Sequence, residues 1–437
     1  MDKNFTRPRG DGLPSTSHIL NAIRSDLARV ILPDVQSERS RVLLQMTDLM
    51  LRHLITREEF GGGEVARAVP ARVAENLRAQ IEREYEALGA ITSAEEKIEL
   101  LELAPDISAL FVVSPDRLTD YLRSQVPGMT EAVVTNVAQV VGGLSKETFL
   151  FDVQLPDGPA GFVMRRDIPN PPIQSSAPDE AKVLHPLFKL GLPVPEPVHS
   201  EYDPAFFGMP FQISRKVGGR AISGAVEINN LGAEAKGNCE LLARFLGQLH
   251  SVNISLLPEM SHAGWSTTDY VREHVSQWQA WWRSNQMEPS VIVDTAYEWL
   301  LANVPQSPRP VLVHGDAGLH NIMVEGGRTT AMIDWELVHV GDPSEDLLYC
   351  RNWVDQVMNF DAFLRIYRDH GGAEINADNS HYYSLLNCVR NVTCSIAQYR
   401  GYRDAVLPLL PSAYSGIKWQ KVFLRKAAEE LKTLLPN

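Results

Sequence analysis

Two short apolar runs between residues 311 and 336 constrain this chain more than any other feature. Val311-Leu312-Val313 runs into His314-Gly315-Asp316, and Ala331-Met332-Ile333 runs into Asp334-Trp335-Glu336, with Asn321 between them. Short runs of this kind read as strands, so three carboxylates and one amide emerge at or just beyond strand ends in a fixed order. Phosphoryl transfer asks for such a set: one carboxylate aimed at the attacking hydroxyl, and an oxygen-rich pair to hold magnesium against nucleotide phosphates. Asp316 suits the first role, and Asn321 and Asp334 suit the second. The plainer reading, capping and turn residues of an unrelated α/β protein, explains one aspartate in a loop. It does not explain several specified positions in order, each beside a strand.

The rest of the chain divides into three parts. Ile19, Leu20, Ile23, Leu27, Val30 and Ile31 recur at spacings of three and four, Leu43, Leu44, Met46, Leu49, Met50 and Leu54 repeat the pattern, and a third stripe runs from Val73 to Leu88. That periodicity predicts amphipathic helices, so residues 1–112 read as a small all-helical domain. Pro115 then begins a short helix. Residues 138–141, 148–153 and 161–165 are rich in β-branched and aromatic residues and are parted by Gly143 and Pro156-Asp157-Gly158, which predicts three antiparallel strands. A helix over 179–190 and a strand within 206–217 follow, and from Asn238 onward the chain reads as mainly helical. Residues 113–217 are therefore expected to form a small sheet-based lobe and 218–437 a large helical lobe.

This arrangement resembles the aminoglycoside phosphotransferase and choline-kinase-like family, whose signature is HGDxxxxN followed by a strand-borne IDWE or IDFE. His314, Gly315, Asp316, Asn321, Ile333, Asp334, Trp335 and Glu336 all match. The resemblance implies an α+β, two-lobed protein-kinase-like fold and a reaction dependent on ATP and Mg2+, with Asp316 catalytic and Asn321 and Asp334 as metal ligands. It also makes Gly142-Gly143-Leu144-Ser145 the turn over the phosphates, where small residues let the backbone come close, and Gly143 and Ser145 its contacts. A glycine pair between strands also reads as an ordinary hairpin turn. Arg165 stands where the fold normally puts a lysine; the charge is kept, although a planar guanidinium is not equivalent to an ammonium. Glu180 matches the acidic partner of that cation, and Gln212 and Ser214 lie in the connector expected to hold adenine. Arg166 reads as a surface residue, His314 as a scaffold of its loop and His320 as exposed.

Softer matches point within the family to the kinase-like domains associated with acyl-CoA dehydrogenases and hydroxyacyl-CoA catabolism. They are Gly143-Leu144-Ser145, Val163-Met164-Arg165-Arg166, the segment 278–282, and Arg390 followed by 396–400. The expected reaction is then transfer of the ATP γ-phosphate to the hydroxyl of a small molecule such as a hydroxy acid or 4-hydroxyacyl-CoA. An antibiotic phosphotransferase is the runner-up. A catalytically weak nucleotide-binding scaffold is the reading from another class, and the intact Asp316, Asn321 and Asp334 weigh against it. The segment His381 to Arg403, which in this family would border the acceptor, holds Arg390, Arg400 and Arg403 but no Asp or Glu. That favours an anionic acceptor, against the plainer reading of arginines on a solvated helix face. Asp342-Pro343-Ser344-Glu345 reads as a helix start, and Trp278, Trp281 and Trp282 read first as packing residues.

Composition narrows the partners. A net charge of −13 disfavours nucleic acid and anionic membrane surfaces. The four cysteines form no CxxC pair, so a reducing cytoplasm is expected rather than a disulfide framework or thiolate zinc. No apolar run approaches the ~20 residues of a membrane span, and the first residues lack the basic-then-apolar pattern of an export signal. A small-molecule hydroxyl substrate is the expected partner, with self-association into a homo-oligomer left open.

Overall fold

The computed structural model describes residues 113–435 except 141–144, 157, 170, 223–231, 308, 376 and 405–409. The helical domain expected over 1–112, and Gly143, lie outside the described residues. The chain divides into two compact units. One comprises residues 108–284 and 296–390; the other includes 285–295 and 391–437.

The first unit opens on α1 (Pro115–Gln125), capped by the Ser114 hydroxyl, which accepts from the Arg117 amide at 3.3 Å; Pro115 fills the first turn, where no amide is needed. Leu118, Tyr121 and Leu122 form its buried stripe. They pack on a sheet of β1 (Val133–Val140), β2 (Lys146–Leu155), β3 (Gly158–Asp167), β4 (Pro197–Glu201) and β5 (Phe211–Arg215). The strand order is β1-β2-β3-β5-β4, and every pair is antiparallel. Strand alternation sends Phe149, Phe151 and Val153 of β2 and Phe162 and Met164 of β3 into one core with α1. Phe151 and Phe162 face each other directly across the strands, with ring centroids 5.8 Å apart. The sheet gains β4 beyond the strands expected. That strand begins at a proline, slips register between Pro197 and His199 and is half-buried throughout, so it has no readable alternation.

The same alternation corrects the surface reading of Arg166. It points into the aromatic core, fully buried; its Nε donates to Glu147 at 2.8 Å, and its guanidinium lies over the Phe149 ring. Arg165, one residue earlier, is thereby turned to the opposite face of the sheet, toward the second lobe.

That lobe is built on α2 (Ala177–Lys189), α3 (Gly232–Ser251), α4 (Thr267–Asn285), the later part of α5 (Val291–Ala302), α6 (Ser344–Val357), α7 (Phe360–Asp369) and the start of α8 (Ser380–Arg403). Two small antiparallel pairs are set among them: β6 (Val311–Val313) with β9 (His339–Gly341), and β7 (Ile322–Glu325) with β8 (Arg328–Met332). Leu242, Phe245, Leu246 and Leu249 of α3 share a core with Leu312, Trp335, Leu347, Phe363 and Tyr367. This core fixes the ends of β6 and β8, from which the polar groups emerge. Helix α6 starts one residue later than expected: Asp342 Oδ1 still accepts from the Ser344 amide at 2.7 Å, and Pro343 takes the capping position.

The second unit contains α9 (Leu410–Tyr414) and α10 (Gln420–Leu434), joined by a π-helical turn, Ser415–Trp419. Leu424, Ala427, Ala428 and Leu431 of α10 are buried. Among the described residues no helix is long and apolar enough to cross a membrane.

Candidate active site

β6 delivers the chain into a loop of unusual constraint. His314 is fully buried, and its Nε2 meets the Ile333 carbonyl at 3.0 Å, so it braces the loop, as its apolar neighbours suggest. Gly315 has φ +84°, and a Cβ there would lie 2.6 Å from the Leu337 carbonyl oxygen, so only glycine fits. Behind the loop, Asp346 of α6 accepts from the His314 and Gly315 amides, both at 2.8 Å. Asp346 is itself fully buried against His250 Nε2 at 3.1 Å, and His250 Nδ1 meets the Tyr367 hydroxyl at 2.9 Å.

Asp316 projects from this scaffold. Asn321 Nδ2 donates to its Oδ2 and to its backbone oxygen, each at 2.9 Å; His320 Nε2 lies 3.2 Å from Oδ2, and the Tyr349 hydroxyl donates to Oδ1. Burial alone would raise this carboxyl, but the bonds and charge from His320 and the Tyr349 hydroxyl outweigh it and hold the group at about 2. Asp316 is therefore ionised at any physiological pH. His320 is not exposed as expected: it is half-buried against Asp316, which raises its pKa despite the burial.

Across from the loop lies a second acidic group. Asp334 sits at φ +67°, and its Oδ1 accepts from Arg165 at 2.8 Å. Glu336 is 3.7 Å from the same guanidinium and accepts from the Ser145 hydroxyl. Burial, then the nearby Asp334 charge, push Glu336 up to about 8 against the pull of Arg165. The site thus holds more buried carboxylate than its own cations neutralise. Arg165 Nε lies 3.6 Å from Glu180, and Lys146 Nζ reaches Glu180 at 3.8 Å, Asp167 at 3.6 Å and the Ser175 carbonyl at 2.6 Å. Burial raises the Glu180 carboxyl, and Arg165 and Lys146 oppose it.

Asp316, Asn321, Asp334, Arg165, Glu180 and Ser145 thus fall in one cluster, together with Glu336. Gln212 lies on β5 rather than in a free connector; directly opposite Arg165, it is buried and donates to Glu180 at 3.3 Å. Its amide nitrogen props the acid, and its Oε1 has no hydrogen-bond partner among the described residues. Ser214 shares that sheet face two residues on, opposite Val163. Arg390 is placed otherwise than an acceptor contact requires: it is 2% exposed, donating to Glu345 at 2.8 Å and to the Gly315 carbonyl at 2.7 Å. Arg400 and Arg403 belong to the other unit, where both are paired with Asp404.

The sequence reading left three residues of the site without a defined part. Lys146 reads from sequence only as a neighbour of Ser145 able to contact phosphate and Asp346 only as part of a helix start, while Tyr349 lacks any motif; yet Asp346, Tyr349 and Trp353 recur at three and four along one face of α6, a spacing that could have marked the two on that helix. Glu345, on the neighbouring face, carries a pH prediction. Burial would raise it, but the charge and hydrogen bond of the His339 imidazolium, with Arg390 beside it, hold it at about 2 rather than its usual 4.5. A depressed carboxyl stabilises the fold above its unfolded pKa and loses that contribution as pH falls through the folded value. The melting-temperature gap between wild type and Glu345→Gln should therefore be full just above pH 4.5 and shrink toward pH 2. A gap that stays constant over that range would refute the pairing.

Residues 136–378, more than half of the chain, match the Phosphotransferase enzyme family (APH). Acyl-CoA dehydrogenase family member 11 of Homo sapiens is 30% identical over 240 residues, covering 53% of this chain and 30% of that protein. Acyl-CoA dehydrogenase family member 10 of Mus musculus is 25% identical over 214 residues, 48% of this chain and 20% of that protein. The chain spans less than a third of the length of these curated relatives. Among solved structures, a candidate aminoglycoside phosphotransferase from Ralstonia eutropha JMP134 superposes with a TM-score of 0.56 at 20% identity, covering 74% of this chain and 99% of that one. A likeness at that identity establishes the shared fold. With more than half of its length matched, this chain belongs to the phosphotransferase enzyme family and has that family's kinase-like fold.

Proposed function

We propose that the protein is an ATP- and Mg2+-dependent small-molecule kinase that transfers the γ-phosphate to a hydroxyl, with Asp316 as the group that receives the acceptor's hydrogen bond. One observation carries the reading: an ionised, over-determined Asp316 stands in one cluster with Asn321, Asp334 and Glu336, a purely oxygen donor set short of positive charge. Asn321 spends its amide nitrogen on Asp316, and its Oδ1 has no partner among the described residues. Oxygen donors and excess carboxylate suit a hard divalent cation, so Asn321 and Asp334, with Glu336 behind them, would hold Mg2+. When bound, Mg2+ supplies charge against the nucleotide phosphates. Arg165 supplies the fixed cation on the other side, its orientation set by Glu180 and by Gln212 behind it. Asp316 needs only to orient and deprotonate the hydroxyl, which a base of low pKa does through position more than strength.

The relatives named for acyl-CoA dehydrogenases support a hydroxy acid or hydroxyacyl thioester as acceptor. The deciding assay measures ADP release with a panel of hydroxyl acceptors. Release that requires both Mg2+ and an acceptor supports the reading; its absence throughout a panel of hydroxy acids, hydroxyacyl-CoA compounds and aminoglycosides sinks it. Asp334→Ala should weaken Mg2+-dependent nucleotide binding by about tenfold or more, or ~1.4 kcal/mol, measured by calorimetry with and without metal. Unchanged affinity would remove Asp334 from the metal site.

A further inference from the structure

A cavity of about 130 Å3 opens beside the active site, lined among others by His274, Trp278 and Trp281 of α4 and by Glu336, Leu337 and His339. It abuts both reacting segments. Leu337 is the residue whose carbonyl packs against Gly315, Glu336 follows Asp334 by two positions, and His339 pairs with Val313. The Trp281 indole donates to the Pro172 carbonyl at 3.0 Å and so fastens the neighbouring wall residues Ile173 and Gln174.

The imidazoles of His274 and His339 stack face to face, with centroids 3.6 Å apart and planes within 6°. Two imidazolium rings would repel at that distance, so one is neutral, and the hydrogen bonds say which. His339 Nδ1 meets the Leu337 carbonyl at 2.9 Å and Nε2 meets the Glu345 carboxylate at 3.1 Å. Both partners only accept, so both nitrogens carry protons and His339 is the cation. His274 Nε2 accepts from the Trp278 indole at 3.2 Å. An indole only donates, so the His274 proton sits on Nδ1, for which no acceptor exists among the described residues. Burial first, then the His339 charge, lower the His274 pKa, and Glu345 raises that of His339.

His274, His339 and Glu345 bring ligand atoms within 4.8 Å of one another. The rings are parallel and do not converge on a point as metal-bound imidazoles do, and both His339 nitrogens are already bonded, to Leu337 and Glu345. Among the described residues lining the cavity Glu336 is the one carboxylate, and it is engaged by Ser145 and Arg165. Behind the wall, Glu345 is shared between two cations, His339 and Arg390. An ammonium group entering here would meet an imidazolium and no free acid. A carboxylate or acyl oxygen would meet an N–H donor in a positive field.

We propose that this cavity takes the non-reacting end of the acceptor, and that His274 and His339 select a carboxylate or acyl carbonyl oxygen there over an ammonium group. Calling the bound molecule the acceptor rests on the kinase reading above; the preference of the cavity does not. The size fits a short acyl end, since a cavity of ~150 Å3 accommodates benzene.

The test is calorimetry on the full chain carrying Asp316→Asn, so that nothing turns over, with Mg2+ and a non-hydrolysable ATP analogue present. The probes are 4-hydroxybutanoate and 4-aminobutan-1-ol, which differ chiefly in the charge at the far end. The carboxylate is expected to bind roughly tenfold or more tightly than the amine. Adding His274→Phe, which keeps the stack but lacks the N–H, should cost that affinity about tenfold, the loss of one charge-assisted hydrogen bond, and leave nucleotide affinity unchanged. His274→Gln, which restores a donor, should recover part of it. Preference for the amine, an unaffected His274→Phe protein, or no carboxylate binding at millimolar concentration each overturns the proposal. If instead the carboxylate binds through His274 but wild-type protein phosphorylates no acceptor, the kinase reading fails and the cavity's preference stands.

Discussion

Asp316→Asn should lower turnover on the order of 10^3-fold, within the range that positioned acid–base groups contribute, while nucleotide affinity stays as in wild type. The substitution keeps size and shape but removes the one atom pair able to take a proton from the acceptor. Asp316 makes no contact with Arg165, Glu180 or Lys146, the cations and acid around the proposed phosphate site. Single-turnover phosphoryl transfer, alongside calorimetry with the nucleotide, separates the two effects. A rate within tenfold of wild type would remove Asp316 from the reacting centre, and a matching loss of nucleotide affinity would recast it as a metal ligand.

Arg390→Leu should destabilise the fold by about 3–5 kcal/mol, the usual consequence of taking away one member of a buried ion pair. Glu345 is 1% exposed, so without Arg390 it keeps His339 alone as a direct counter-ion. The Gly315 carbonyl loses its donor in the same step, so activity should fall along with stability. Urea unfolding followed by fluorescence measures the first effect. A protein of wild-type stability whose KM for the acceptor alone has risen would return Arg390 to the role of reading the substrate, as its position in an acid-free helix suggests.

The fold was legible where side-chain period and turn chemistry agreed. Alternating aromatics fix β2 and β3, although both strands run a few residues beyond the expected bounds. Polar groups at the ends of β6 and β8 gave the cluster of carboxylates and amide because the short strands before them are themselves legible as apolar runs. The arginines show where this stops. Arg165 and Arg166 differ by one position on a strand, so which of them faces the core follows from register, and charge says nothing about it. Gln212 read as connector because a buried glutamine and an exposed one look alike until the partner, Glu180, is placed. Arg390, Asp346 and His250 act through partners far away in sequence, and no local pattern announces such contacts. Tyr349 was recoverable in principle, from the helical spacing that puts it on the face of Asp346.

The grip of Asp346 on two successive amides has a consequence for how the reacting loop behaves over time. Those two N–H groups, of His314 and Gly315, end on a carboxylate that is itself tied through His250 to Tyr367, so they join α3, α6 and α7 in one bonded unit. Neither amide can meet solvent by local fraying of a loop; both have to wait for the helices to come apart. Their deuterium exchange should be as slow as that of the α3 interior, orders of magnitude slower than loops ordinarily allow. The geometry that aims Asp316 is thus set when the protein folds, before any ligand arrives, and binding need not supply the entropy of ordering it.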